Sequence, residues 1–238
     1  MNEFVRSEIL LGADGLKRLA ASRVAVFGIG GVGGYAVEAL ARAGVGAIDI
    51  IDNDTVSESN INRQIIALKS TVGKYKVDVM KGRISDINPE CRVTAYRTFF
   101  LPETRNMFDF SQFDYVLDAI DTVSGKIAVI ECARESGVPV ISCMGAGNKL
   151  DASRFEVAEI EKTSVCPLAR VMRRELKARH ITGVKVVYSK EMPAERFKVQ
   201  VDDCAKRQTP GSVSYVPPVA GLLAAGEIIK YLSGIGNE

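Results

Sequence analysis

A glycine-rich stretch between a predicted strand and a predicted helix constrains the fold of this chain most. The apolar run Val24–Phe27 predicts a short strand and leads into the stretch Gly28-Ile29-Gly30-Gly31-Val32-Gly33-Gly34. Apolar residues at helical spacing follow until Gly44, and Ala47–Asp52 is again strand-like. The order strand, glycine turn, helix, strand is a βαβ unit.

The spacing of three glycines and one acid indicates a nucleotide site. Gly28, Gly30 and Gly33 lack side chains, so the turn can be tight and a phosphate can approach the backbone. The amide end of the next helix would face that anion. Asp52 lies 19 residues after Gly33, where a carboxylate can accept hydrogen bonds from ribose hydroxyls. The pattern favours nucleotide binding over simple packing, but does not distinguish NAD from ATP.

Strands and helices continue to alternate to about residue 145. This alternation predicts an α/β fold, a Rossmann-like, doubly wound and mostly parallel sheet with helices on both faces. The predicted elements are strands at Arg92–Tyr96, Tyr115–Ile120 and Val138–Cys143, and helices at Val77–Ile87 and Lys126–Ser136.

The pattern changes after residue 145. Two predicted strands flank a charged helix, and a polar loop then leads into a final amphipathic helix. We expect this part to be a C-terminal extension packed on the first sheet. Its predicted elements are strands at Arg154–Ile160 and Val184–Ser189, helices at Pro167–Arg179 and from about Ala220 to Leu232, and a loop at Lys190–Ser214.

Length and composition suit one soluble domain. The 238 residues are 47% hydrophobic and 25% charged, as in globular proteins. We expect a single domain over residues 1–238. Its nucleotide-binding core would cover about 1–145, and a substrate-side extension about 146–238.

Targeting signals are not evident in the sequence. Met1–Leu11 has no uninterrupted apolar core, and Glu227 and Lys230 interrupt the apolar segment Val219–Ile235. Five cysteines occur without a C-x-x-C pair, which argues against structural zinc and for a reducing compartment. We therefore expect a cytoplasmic protein without stable membrane insertion.

Net charge excludes a uniformly basic surface. The formal net charge is only +2, so any surface that attracts nucleic acid must be a local patch. The predicted helix Pro167–Arg179 offers one, because several cations share its face, although the same spacing also fits a solvated helix face. These cations are Arg170, Arg173, Arg174 and Lys177.

Charged residues beyond the glycine turn favour ATP over NAD. Arg63 can bind phosphate oxygens in a bidentate manner, and Lys76 can add a point charge. Asp121 follows an apolar strand at the carboxyl edge of the sheet, where it could hold Mg²⁺. Each residue alone is an ordinary surface charge, but the ordered combination is specific.

These motifs resemble the adenylating domain that ThiF-type enzymes share with ubiquitin-activating enzymes. They include Asp52-Asn53-Asp54, Ser59–Gln64, Val72–Lys76 and Leu117–Asp121. The resemblance implies that Mg-ATP activates a carboxylate as an acyl-adenylate, with Asp121 holding Mg²⁺ and required for adenylation. The nucleotide-binding positions it implies are Gly28, Gly30, Gly31, Gly33, Asp52, Asp54, Asn60, Arg63, Gln64, Lys76 and Asp121.

The resemblance also implies a homodimer. Arg6, in Phe4–Leu10, resembles an N-terminal arginine that reaches the γ-phosphate in the partner subunit. An ordinary exposed arginine is the rival interpretation. The predicted catalytic set is therefore Asp121, Arg63, Lys76 and Arg6.

Other stretches, among them Ser142–Asn148 and Gly211–Gly221, resemble one branch of this superfamily, the tRNA threonylcarbamoyladenosine dehydratases. Sulfur-carrier activators usually have two C-x-x-C pairs, which this sequence lacks. The branch implies ATP-dependent ring closure of the threonylcarbamoyl group on a tRNA adenosine beside the anticodon. It leaves open a monovalent cation, a sulfur-transfer partner, and any role for Cys166 or Cys204.

Two other functions stay open from the sequence. One is an adenylyltransferase that activates the C-terminal Gly-Gly of a ubiquitin-like sulfur-carrier protein. The other is an NAD-dependent oxidoreductase or a nucleotide sensor without catalysis, against which Arg63, Lys76 and Asp121 argue.

Overall fold

A seven-stranded sheet organises the protein. The computed structural model describes residues 3–195, 197 and 210–235. The strand order is β3-β2-β1-β4-β5-β7-β6, and neighbours are parallel except for the antiparallel pair β6–β7. The predicted doubly wound, mostly parallel α/β fold is confirmed. The strands are β1 (Arg23–Phe27), β2 (Ala47–Ile51), β3 (Arg92–Tyr96), β4 (Tyr115–Asp118), β5 (Val140–Cys143), β6 (Phe155–Glu159) and β7 (Lys185–Ser189).

Helices cover both faces of this sheet. Alternate residues of β1 enter different apolar clusters: Val24 and Val26 pack on one face, Ala25 and Phe27 on the other. Within the described ranges, no helix combines the length and apolar character needed to cross a bilayer. The helices are α1 (Val5–Ala21), α2 (Gly33–Arg42), α3 (Lys76–Ile87), α4 (Val123–Glu135), α5 (Pro167–Ala178) and α6 (Val216–Ser233).

Most predicted elements occur within a few residues of their expected bounds, and the differences that matter for the site concern α1, α6 and β4. Helix α1 was not predicted, and α6 begins at Val216 instead of about Ala220. Pro217 and Pro218 occupy its first turn, where a missing N–H breaks no helical hydrogen bond. Strand β4 ends at Asp118 instead of Ile120, so Asp121 lies in the turn before α4.

The chain after residue 145 contributes to the same sheet. Strand β7 pairs in parallel with β5, and β6 extends the edge by pairing antiparallel with β7. Helix α6 packs on the face that carries α2, and Ala220 and Ala224 lie in the same apolar cluster as Val37. The extension thus shares its core with the strands that precede it.

Candidate active site

The carboxyl ends of β1, β2 and β4 border a cleft of about 330 Å³. Strands β2 and β4 lie on opposite sides of β1, and the crevice where the strand order reverses is the usual ligand site of such sheets. The structure brings ten of the predicted nucleotide residues to this cleft. They are Gly28, Gly30, Gly31, Asp52, Asp54, Asn60, Arg63, Gln64, Lys76 and Asp121.

Two glycines of the loop are required by close backbone contacts. Gly28 has a φ of +92°, and a Cβ there would lie 2.7 Å from the carbonyl oxygen of Ala119. A Cβ on Gly33 would lie 1.8 Å from the carbonyl oxygen of Gly28. At Gly30, by contrast, a Cβ would meet only the Gln64 side chain, at 4.0 Å. The loop is therefore tight against β4 and α2 but open toward the cleft.

Asp52 is held rigidly at the end of β2. One carboxylate oxygen accepts a hydrogen bond from the Ile29 N–H at 2.7 Å, and the other accepts one from the Asp54 N–H at 2.8 Å. Burial raises the pKa of Asp52, although the Lys76 charge and both hydrogen bonds oppose this shift. Each oxygen keeps acceptor capacity, as a contact to ribose hydroxyls requires.

Two of the predicted nucleotide-binding residues, Lys76 and Asp54, form an ion pair in this structure. The Lys76 ammonium, with its side chain only 7% exposed, lies 2.6 Å from Asp54 Oδ2. Asp54 is far more exposed, at 58%. The buried cation thus lines the cleft and has an exposed carboxylate as its partner.

Arg63 and Gln64 line the cleft side by side, and one polar atom of Gln64 is unsatisfied. The Arg63 guanidinium donates to the Ser59 carbonyl oxygen and to Asn62 Oδ1, both at 2.9 Å, and it pairs with no carboxylate among the described residues. Burial lowers the pKa of Arg63. Gln64 Oε1 is buried, and no described residue donates a hydrogen bond to it. A buried polar atom of this kind calls for a polar ligand or water, so these residues fit a nucleotide.

Asp121 lies between the cleft and a second cavity of about 370 Å³. The β4–α4 turn, including Ala119 and Ile120, separates the two cavities and lines both. Sequence reasoning did not predict the second cavity, whose walls come from distant segments. Those walls are Cys143–Lys149, Cys166–Leu168, Pro193 and Pro210.

The cysteines of the second cavity are shielded. Cys166 is 2% exposed at the start of α5, and burial raises the pKa of the Cys143 thiol to about 12. Such a thiol is protonated at neutral pH, and the thiol form is a poor nucleophile. Cys204, which the sequence left open, lies outside the described residues.

The four predicted tRNA-binding cations of helix α5 differ in their exposure and in their bonding partners. Arg173 turns inward, because its guanidinium donates to the Thr163 carbonyl oxygen at 2.6 Å. Arg174 is exposed and bonds Glu175 at 3.0 Å. Arg170 and Lys177 are exposed and have no ion-pair partner within the residues described. A contact between α5 and tRNA stays a prediction. Arg173 could contribute to such a contact only if its guanidinium released the Thr163 carbonyl oxygen.

Arg6 lies apart from the cleft of its own chain. It is exposed in the first turn of α1 and does not line the 330 Å³ cavity. Its predicted contact belongs to a second copy, so it stays a prediction.

Comparison with known proteins identifies the class. Residues 4–238 match the ThiF family, and the chain belongs to that family. It is 45% identical, over 98% of its length and 95% of the relative's, to the tRNA threonylcarbamoyladenosine dehydratase of Bacillus subtilis (strain 168). The Escherichia coli (strain K12) tRNA threonylcarbamoyladenosine dehydratase is 44% identical over 71% of this chain and 63% of that protein.

A solved structure agrees with the sequence matches. The crystal structure of Escherichia coli tRNA N6-threonylcarbamoyladenosine dehydratase in complex with ATP superposes with a TM-score of 0.87 and 35% identity, covering 98% of this chain and 94% of that one. The resemblance stated from the sequence, to the tRNA threonylcarbamoyladenosine dehydratases within the ThiF family, is confirmed.

Proposed function

We propose that this protein is an ATP-dependent dehydratase that acts on tRNA. It adenylates the carboxylate of the threonylcarbamoyl group on the adenosine next to the anticodon, and the side chain then cyclises to cyclic threonylcarbamoyladenosine with net loss of water. The observation that supports this proposal most directly is that Asp121 lines both the 330 Å³ cleft and the second cavity. A nucleotide in one cavity and an acceptor carboxylate in the other would meet at this turn.

The residues of the cleft would bind ATP and orient it. The glycine loop and Asp52 would receive phosphates and ribose, and Arg63 and Lys76 would stabilise negative charge that develops on the phosphates. ATP supplies the adenylyl group that makes the carboxylate oxygen a good leaving group. Ring closure is intramolecular, so it benefits from proximity and needs no protein nucleophile.

We also propose Asp121 as a ligand of Mg²⁺, which would offset phosphate charge. Within the described chain, no three His, Cys, Asp or Glu side chains come together as a metal site. Asp121 would hold the ion in the cleft, and Mg²⁺ in nucleotide enzymes is usually bound by only one or two carboxylates of the protein. The proposal also includes catalysis of ligase type and a cytoplasmic location. It further includes a homodimer, in which Arg6 of one subunit would reach the site of the other.

The test is substrate-dependent AMP release. We expect AMP and pyrophosphate from the purified protein with ATP, Mg²⁺ and tRNA that carries threonylcarbamoyladenosine, and none with tRNA lacking that group. The tRNA product should lose the mass of one water. If AMP forms instead only with a small carrier protein ending in Gly-Gly, the adenylyltransferase alternative is correct.

Lys76→Ala should weaken ATP binding by about 10- to 100-fold, because it removes a charge-assisted contact to phosphate. Isothermal titration calorimetry measures the change. Lys74→Ala is the matched control, since Lys74 is exposed two residues away and does not line the cleft. Equal affinities of the two variants would remove Lys76 from the phosphate site.

The triple variant Arg170→Ala/Arg174→Ala/Lys177→Ala should weaken tRNA binding and leave ATP binding unchanged. The dependence of log K on log salt should become shallower by about one unit per lost phosphate contact. The measurement is filter binding over a salt series. A control that removes the same charge elsewhere is Lys17→Ala/Lys81→Ala/Arg92→Ala; the assignment to α5 fails when both triple variants bind tRNA alike.

A further inference from the structure

A fully buried charge network lies beneath the turn that carries Asp121. Lys126 on α4, Asp118 at the end of β4 and Ser142 on β5 are all completely shielded from solvent. The Lys126 ammonium lies 2.9 Å from Asp118 Oδ2, and the Ser142 hydroxyl donates to the same oxygen. None of the three side chains lines either cavity.

This network joins the two strand ends that flank the second cavity. The Lys126 ammonium also donates to the carbonyl oxygen of Cys143, the last residue of β5, at 2.6 Å. The other oxygen of Asp118 accepts the Ile120 N–H at 3.0 Å, inside the turn that leads to Asp121. One ammonium therefore links β4, β5 and the turn between the two cavities.

The same turn contacts the glycine loop. The Ala119 carbonyl oxygen lies so close to Gly28 that a Cβ would approach it to 2.7 Å. A shift of the turn would thus move Asp121 relative to the loop that receives the phosphates. The hydrogen bonds of Asp118 and Lys126 restrict that shift.

Stability alone is a weak reason for such a network. Two charges removed from water carry a large desolvation cost, and well-packed apolar residues of similar volume are often at least as stable. Yet the ion pair lies directly under the proposed adenylation site, where positional precision matters: a misplacement of about 1 Å can lower a rate by about 100-fold.

We propose that Lys126 is a positioning residue for adenylation. Through Asp118 and the Cys143 carbonyl, it holds the β4–α4 turn in register with the glycine loop, so that Asp121 faces the phosphates. The inference rests on the proposed function, in which Asp121 is required for adenylation.

The test compares Lys126→Met with the double variant Lys126→Met/Asp118→Asn. The single variant leaves a buried carboxylate unpaired, so its melting temperature should fall strongly. The double variant removes both charges, retains the side-chain oxygen that accepts the Ile120 N–H, and should melt within about 4 °C of wild type. Arg23→Met/Asp49→Asn is the control, because it removes another ion pair with a buried carboxylate at residues that line neither cavity.

Three quantities are measured on each variant: melting temperature, the Kd for ATP and the rate of AMP release at saturating ATP and modified tRNA. In the double variant we expect recovered stability, a Kd within about twofold of wild type and a rate about 100-fold lower. The control variant Arg23→Met/Asp49→Asn should keep a rate close to wild type. Recovery of the rate together with stability in the double variant would show a purely structural network and overturn the inference.

A second double variant, with an amide at each of the two positions, serves as the test when the first one does not fold. Lys126→Gln/Asp118→Asn keeps polar partners inside the network, but the shorter glutamine cannot reach both Asp118 and the Cys143 carbonyl. The same loss of rate is expected, and a wild-type rate again overturns the inference. A wild-type protein that releases no AMP overturns the proposed function itself; an active wild type with an equally active double variant overturns only the role of Lys126.

Discussion

Asp121→Ala should lower AMP release by at least about 100- to 1,000-fold, the range for loss of one group that stabilises transition-state charge. The reason is geometric, since Asp121 is the acidic side chain in the turn that lines both cavities. Because it is exposed and no hydrogen bond or ion pair of its side chain is found among the described residues, alanine should leave the fold intact. Single-turnover measurement of AMP with modified tRNA gives the rate.

Asp86→Ala is the matched control for this experiment. Asp86 is also exposed, lies on α3 and lines neither cavity. Its rate and melting temperature should equal those of wild type. Full AMP release by Asp121→Ala would refute the proposed mechanism, whereas an equal loss in both variants would indicate a general effect of removing surface acid.

Gly33→Ala should abolish ATP binding and lower the melting temperature by about 10 °C or more. The new Cβ would lie 1.8 Å from the Gly28 carbonyl oxygen, so the backbone of the loop or the start of α2 must move. Such backbone clashes belong to the severe class of about 4 kcal/mol or more, and 1 kcal/mol corresponds to about 2–4 °C for a chain of this size.

Gly82→Ala is the opposite case in the same protein. Gly82 is exposed on α3, and a Cβ there would meet nothing within 4 Å. Alanine should stabilise the helix by about 1 kcal/mol and raise the melting temperature by about 2–4 °C. Scanning calorimetry with and without ATP tests both variants. Unimpaired ATP binding by Gly33→Ala would contradict the tight loop geometry described above.

The cleft that we propose as the nucleotide site was predictable from sequence because its residues follow the ends of neighbouring strands. Gly28 follows β1, Asp52 follows β2 and Asp121 lies just past β4, and parallel strands bring their carboxyl ends to one edge. The period of apolar residues located these strands to within a few residues. Local pattern and sheet topology therefore carried the prediction together.

The remaining features depend on contacts between distant segments, which local pattern does not encode. Spacing along α5 placed Arg173 with the other cations, but its long side chain turns back to Thr163. The pair of Lys76 with Asp54 likewise depends on how α3 meets the loop after β2. The second cavity could not be predicted either, because Pro193 and Pro210 lie beside the end of β5 only in the tertiary structure.

The close fit of α6 on the glycine loop has a consequence for folding during synthesis. A Cβ on Gly221 would lie 2.1 Å from the Val32 carbonyl oxygen, and one on Gly31 would lie 3.2 Å from Pro217. The loop leaves the ribosome long before the helix that presses on it. A nascent chain that ends before Val216 lacks this support, so we expect the ability to bind nucleotide to appear only after α6 has left the ribosome and packed on the loop.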